Sequence, residues 1–164
     1  MKRLYLIGGT MGVGKTATCQ RLKKILPRAV FLDGDWCWDA DPFIVTEETK
    51  AMVTDNICHL LGSFLRCSEY ENVIFCWVMH EQVIIDEIIS RLDVRECEVK
   101  TISLLCSQQA LRSRLKKDVA AGIRQADVIE RSLARIALYE KLGTVKIDTT
   151  DLDADGAAQA IASI

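Results

Sequence analysis

Residues Leu6–Cys19 read LIGGTMGVGKTATC, and within them Gly9–Thr16 fits the pattern G-x-x-x-x-G-K-[ST]. The stretch follows RLYLIG (Arg3–Gly8), a short and nearly continuous apolar run rich in strand formers. Such a run reads as a strand buried on both faces, the mark of a parallel sheet. From Lys15 the period changes, with Thr18, Leu22, Ile25 and Leu26 recurring at helical spacing until Pro27. Strand, glycine loop and helix are the context in which this pattern holds phosphate. Backbone N–H groups of Gly12, Val13, Gly14 and Lys15 can converge on an anion because glycines keep side chains out of the approach. The helix adds its positive N-terminus. Lys15 would reach the β- and γ-phosphates of a nucleoside triphosphate, and the Thr16 hydroxyl would take a position on Mg²⁺. Gly9, Thr10, Met11, Gly12, Val13, Gly14, Lys15 and Thr16 are thus the expected nucleotide-binding set. The competing reading is a chance glycine-rich turn, which rarely combines two fixed glycines, a lysine and a hydroxyl.

The apolar strand signature recurs in AVFL (Ala29–Leu32), NVIFCWV (Asn72–Val78), VKTISLLC (Val99–Cys106) and TVKI (Thr144–Ile147). Helical periods fill the gaps: Thr46, a plausible N-cap, to about Glu69, then Glu81–Leu92, Ser107 to about Ala121, and Asp153–Ile164. Asp127 with Glu130 three residues on resembles a capping box, opening a helix to Leu142 that Gly143 stops. Strands alternating with helices predict a parallel sheet with helices on both faces, in one α/β domain over residues 1–164.

The 164 residues suit one domain with a single well-buried core. A net charge of -2 provides no basic field for a phosphate backbone, so nucleic acid is not an expected partner. No apolar run has the length of a membrane span, and the N-terminus enters the glycine loop without a signal-peptide pattern. The seven cysteines form no C-x-x-C pair, and most sit in apolar periodic segments. They read as reduced core thiols of a cytoplasmic protein.

A guanine-nucleotide switch should carry [NT]-K-x-D after a late strand, and the nearest match, VKID (Val145–Asp148), lacks its first residue. A motor ATPase should end an apolar strand on a metal-holding Asp, whereas the third strand ends FCWVMHE (Phe75–Glu81). The carboxylates follow the second strand instead, in VFLDGDWCWDADPF (Val30–Phe43). Asp33 and Asp35 would lie at the carboxyl edge of the sheet, where open α/β sheets bind ligands. One could orient the metal's waters and the other accept a proton from an attacking hydroxyl. An Asx-type turn closing the strand is the alternative reading of the pair.

GGTMGVGKT together with FLDGD resembles the P-loop small-molecule kinases of the shikimate kinase, gluconate kinase, adenylylsulfate kinase and chloramphenicol phosphotransferase group, relatives of the nucleotide kinases. KIDTTDLDADGAAQAI (Lys146–Ile161) is similar to their closing strand and helix. The resemblance implies a three-layer P-loop fold, with a five-stranded parallel sheet in the order 2-3-1-4-5 and a helical lid at about 115–131. It implies ATP and Mg²⁺, with Asp35 as base or ligand of the acceptor hydroxyl and Asp33 holding Mg²⁺ through water. In ALRSRLKKDVAAGIRQADVIERSLARI (Ala110–Ile136), Arg114 resembles the arginine packed on adenine, and Arg124 the lid arginine that offsets charge on the moving phosphoryl group. Thr149 and Thr150 would sit near the adenine. Arg131 and Arg135 repeat on one helical face, which a solvated cationic surface explains equally well.

The expected reaction is therefore ATP- and Mg²⁺-dependent phosphoryl transfer to a small-molecule hydroxyl or nucleotide-type acceptor, and the alternative is a non-catalytic ATP-binding sensor. Trp36, Trp38, Trp77 and His80 fall near the proposed acceptor pocket. Aromatic side chains suit a planar or apolar ligand, while core packing is the better reading for Trp77 on its strand. Trp36 and Trp38 alternate along the chain, so at most one should face the ligand. Lys50 and Arg66 are the only Lys or Arg on the long helix. The shortage of cationic clamps points toward an uncharged hydroxyl acceptor.

Overall fold

Each of the five apolar runs forms a strand, and every pairing between them is parallel. The computed structural model describes residues 1–164. The strands are β1 (Lys2–Gly8), β2 (Ala29–Asp33), β3 (Asn72–Trp77), β4 (Cys97–Leu105) and β5 (Val145–Asp148). They lie in the order β2-β3-β1-β4-β5. The helices are α1 (Lys15–Ile25), α2 (Glu47–Arg66), α3 (Gln82–Ser90), α4 (Gln108–Ala120), α5 (Val128–Glu140) and α6 (Ala154–Ala162). The expected three-layer P-loop architecture and its strand order are both found.

Period-two alternation divides the sheet between two cores. Tyr5, Ile7, Ile74 and Cys76 join Cys19 and Leu22 of α1, Leu111 and Leu115 of α4, and Ile161 of α6. Leu4, Leu6, Val73 and Phe75 join Ile57 and Leu61 of α2 and Ile85 and Ile88 of α3 on the other face. Each large apolar side chain buried this way contributes about 1.5–3 kcal/mol relative to exposure. α5 crosses between the faces, with Val128 in the first core and Tyr139 in the second. It therefore runs over the edge of the sheet at which β1 ends.

Among the boundaries that differ from the sequence reading, those of α2 and α5 have a visible cause. α2 stops at Arg66, because the Cys67 N–H turns back onto the Ser63 and Phe64 carbonyls. The turn that follows lets the Glu71 N–H reach the Arg28 carbonyl at 2.9 Å and start β3 beside β2. The capping box expected at Asp127 and Glu130 does not form. Asp127 already has helical backbone angles (φ -65°, ψ -19°), and its side chain bonds no amide. An N-cap needs extended backbone to aim its oxygen at the helix amides. Asp127 pairs instead with Arg131 at 3.5 Å and Glu130 with Arg112 at 2.9 Å. α5 ends at Glu140, with the Lys141 and Leu142 N–H groups bonding in its last turn.

Cys19, Cys58, Cys76 and Cys106 are buried, Cys37, Cys67 and Cys97 half-buried, and all seven are free thiols. No helix is long and apolar enough to cross a membrane.

Thr46 caps α2 as expected, and the bond is reciprocal. The Thr49 N–H donates to the Thr46 hydroxyl at 3.2 Å, and the Thr46 N–H to the Thr49 hydroxyl at 2.8 Å. Thr46→Ala should lower unfolding free energy by about 1 kcal/mol in urea titration with an unchanged m-value. An unaltered midpoint would mean that this cap does not hold the helix.

Candidate active site

The loop after β1 is shaped by glycines whose backbone other residues resist. Gly12 (φ +85°) and Gly14 (φ +99°) lie in the left-handed region. A Cβ on Gly12 would stand 2.4 Å from Leu115 Cδ2, so α4 packs directly against the loop. Nothing lies within 4 Å of a Cβ built on Gly14, the N-cap of α1. No side chain caps α1 and no acid sits in its first turn. Its first amides and its positive end thus face open space, which is the arrangement that binds phosphate. The Thr10 hydroxyl donates to the Ser132 carbonyl at 2.9 Å, tying the loop to α5. Lys15 Nζ donates to the Thr10 carbonyl at 3.1 Å. Burial lowers the Lys15 pKa, and the nearby Cys76, Asp35 and Asp33 work against that shift.

At the end of β2, Asp33 is buried and uses both carboxylate oxygens. One accepts the Thr16 hydroxyl at 2.6 Å and the other the Asp35 N–H at 3.0 Å. The Asx turn and the link to the glycine loop therefore coexist. The turn continues as one 3-10 turn, Gly34–Cys37, which presents Asp35. Gly34 is required by close approach: a Cβ there would lie 2.5 Å from Trp77 Cγ. The Asp35 carboxyl is raised above the ordinary aspartate range by desolvation and the Asp33 charge, while Lys15, the Trp77 side chain and Arg124 oppose the rise. Thr16, Asp33 and Asp35 supply hard oxygen donors only, a set that suits Mg²⁺.

Beyond the loop, Arg114 Nη1 donates to the Val13 carbonyl at 3.3 Å, and Nη2 to the Thr149 carbonyl at 2.6 Å. A cavity of about 200 Å³ opens beside it, lined by Val13, Gly14, Thr18, Thr149, Leu152 and Ala157 among others. It adjoins the glycine loop where a base and ribose would follow the phosphates. The Thr150 hydroxyl accepts the Ser107 N–H at 2.9 Å and donates to Asp148 at 2.6 Å, so Thr150 ties the start of α4 to the end of β5 and stands outside the cavity lining that Thr149 joins. Arg124, in the connection between α4 and α5, pairs with Asp118 at 3.0 Å while its charge acts on Lys15 and Asp35. A larger hollow of about 1300 Å³ includes Lys2, Leu65, Arg66 and Arg95 at the opposite edge of the sheet. Its Lys2 is engaged by the Cys67 and Tyr70 carbonyls and its Arg95 by Asp93, and it lies far from the loop.

The aromatic residues separate. Trp36 packs edge-on against Phe31, ring centres 5.2 Å apart, and Phe31 belongs to the core on the α1 face. Trp38 and Trp77 pack on the α2 face, and Trp38 meets Phe43 at 4.3 Å. His80 is half-buried, with Nε2 3.2 Å from Glu81. Sequence reasoning overlooked three contributors. Ser132 acts through its backbone carbonyl, which carries no residue signal. Asn56 donates to the Cys37 carbonyl at 3.1 Å and pins the segment after Asp35 to α2, yet reads as an ordinary polar helix residue. Asp118 reads as one more surface acid until Arg124 folds onto it.

A family model described as an AAA domain matches residues 6–135. No curated protein matches the chain by sequence. Among solved structures, the tunicamycin resistance protein of Deinococcus radiodurans is 20% identical, with TM-score 0.69, covering 99% of this chain and 95% of that one. A sugar kinase from Janibacter is 14% identical, with TM-score 0.71 over 99% and 94%. Shikimate kinase from Acinetobacter baumannii, solved with shikimate, is 21% identical, with TM-score 0.64 over 99% and 92%. The chain shares the P-loop kinase fold with all three.

Gly12→Ala combines a strained backbone with a collision against Leu115. It should lower stability by about 1–3 kcal/mol in urea unfolding. An unchanged midpoint would show that α4 does not pack on the loop.

Proposed function

We propose that this chain, which belongs to the AAA domain family, transfers the γ-phosphoryl group of ATP to a hydroxyl of a small-molecule acceptor. One observation carries the reading: Asp33 reaches the loop through Thr16 at 2.6 Å and, two residues on, Asp35 lies within the field of Lys15. β3 ends in Trp77 and continues Val78-Met79-His80, with no carboxylate of the kind that motor ATPases place there. The fold shared with proteins described as sugar and shikimate kinases supports the same class of reaction.

This reading gives each residue a role. Amides of the loop and of the first turn of α1 bind the β- and γ-phosphates, and Lys15 offsets their charge. Thr16 and Asp33 would hold Mg²⁺, whose chemistry is to neutralise charge on the phosphate oxygens. Asp35 accepts the proton of the acceptor hydroxyl as that oxygen bonds to the γ-phosphorus. The bond from the γ-phosphorus to the bridging oxygen breaks, and ADP leaves with the electron pair. A raised carboxyl pKa improves Asp35 as a proton acceptor. Arg124 lies close enough to act on Asp35 electrostatically and can offset charge on the phosphoryl group in flight. Arg114 and Thr149 form the wall for the nucleoside, with Thr150 next to them in the turn after β5.

Asp35→Asn should reduce kcat by about 10²–10⁴-fold while ATP affinity, read by calorimetry, changes little. Normal turnover in an ADP-release assay would remove Asp35 as the base. Tight ATP binding without turnover in the unaltered protein would make the site a nucleotide sensor.

A further inference from the structure

We propose that the acceptor is an uncharged hydroxyl compound with a flat apolar face, bound on the α2 side of Asp35 against Trp77 and the Trp38–Phe43 pair. This inference rests on the phosphoryl-transfer reading and names the substrate class of the same site. Two independent features of the molecule converge on it.

The first is the wall. Trp77 follows Cys76, which stands in register with Asp33 across the β2–β3 pair, so its indole lies beside the turn that presents Asp35. Gly34 leaves room for that ring and for no Cβ. On the same face the chain leaves Asp35 through Trp38 and Phe43, which stack at 4.3 Å, and Asn56 anchors the segment to α2. Phe43, Ile44 and Val45 then run 58%, 55% and 55% exposed. Phe43 meets Trp38, whose N–H bonds the Asp35 carbonyl at 3.4 Å, so the adjoining apolar side chains left in water continue from the turn that carries Asp35 and form a surface that a flat apolar molecule would cover.

The second is the charge inventory of that side. Lys50 is paired with Glu47 at 2.9 Å, Arg91 with Asp55, and Arg66 sits in the last turn of α2. The segment after Asp35 contributes Asp39, Asp41, Glu47 and Glu48, all exposed. Lys15 is bonded to the Thr10 carbonyl in the glycine loop and Arg124 to Asp118, and both are assigned to the phosphate site. An anionic acceptor would thus meet carboxylates without a free guanidinium to clamp it. Arg66, bonded only to the Ser63 hydroxyl, lines the distant hollow with Lys2 and Arg95, so the cation that could contradict this is Arg135. It is half-buried on α5 between Ser132 and Tyr139, and no carboxylate pairs with it.

In the transfer step the acceptor oxygen forms the new bond to phosphorus, its proton passes to Asp35, and ADP departs. No oxidant or further reactant is needed.

The test uses matched pairs differing by one anionic group, uridine with uridine monophosphate and benzyl alcohol with its para-carboxylate. Each is assayed for ADP release with ATP and Mg²⁺. Binding is followed separately by tryptophan fluorescence, since two of the chain's three tryptophans line the proposed wall. The uncharged member of a pair should show at least about tenfold higher kcat/KM and should quench the fluorescence. Trp77→Ala and, on the exposed segment, Phe43→Ala should each raise the acceptor KM about tenfold and leave the ATP KM unchanged. If Trp77→Ala fails to fold, Phe43→Ala decides alone. Arg135→Gln should leave the acceptor KM within about twofold. Turnover confined to the charged members, or a large rise in acceptor KM in Arg135→Gln, overturns the inference and leaves phosphoryl transfer standing. Silence from every compound in both assays overturns the inference and the phosphoryl-transfer reading together.

Discussion

The hydrogen bond from the Thr16 hydroxyl to the Asp33 carboxylate is the contact on which the rest of the site depends. It joins the first turn of α1 to the end of β2, although β3 lies between β1 and β2 in the sheet. Parallel pairing makes the span possible, because Ile7, Cys76 and Asp33 share one register line across three strands. Buried and doubly bonded, Asp33 cannot swing away without stranding the Asp35 amide, so the turn carrying Asp35 is held at a set height above the glycine loop. A bond between a hydroxyl and an ionised carboxylate is among the stronger hydrogen bonds, and this one is short.

A second set of contacts positions the loop from the other side. The Thr10 hydroxyl reaches the Ser132 carbonyl, Leu115 fills the space beside Gly12, and Arg114 bridges Val13 to the turn after β5. α4 and α5 thus hold the loop while the connection between them carries Arg124. Arg124 rests on Asp118, so one ion pair holds the cation where its charge still acts on Lys15 and Asp35. Partly exposed pairs of this kind are weak, about 0–1 kcal/mol, and an incoming polyphosphate can compete for the guanidinium.

The α2 side of the Asp35 turn contrasts with this tied-down half. Its aromatic wall is assembled by sterics: Gly34 admits Trp77, and Asn56 draws the Trp38–Phe43 segment onto α2. Trp36 has a neighbouring place in the chain but packs on Phe31 across the sheet. In an extended strand two residues spaced i and i+2 would share a face; Trp36 and Trp38 separate because the first lies inside the 3-10 turn Gly34–Cys37 and the second at its end.

Local physics was enough to read much of this chain. Continuous apolar runs between helical periods marked all five strands, and glycines ahead of Lys15 marked the loop, since both signals arise from neighbouring residues. The strand order entered through the resemblance carried by GGTMGVGKT and FLDGD, and not through periodicity. Where a side chain had a choice of partners, tertiary structure decided. Asp127 had the right spacing for a cap, yet helical backbone at that residue and Arg131 nearby gave it an ion pair instead. The meeting of Thr16 with Asp33 and the packing of Trp77 against Gly34 depend on elements distant in the chain, and the seat of Arg124 on Asp118 on how the connection after α4 folds back.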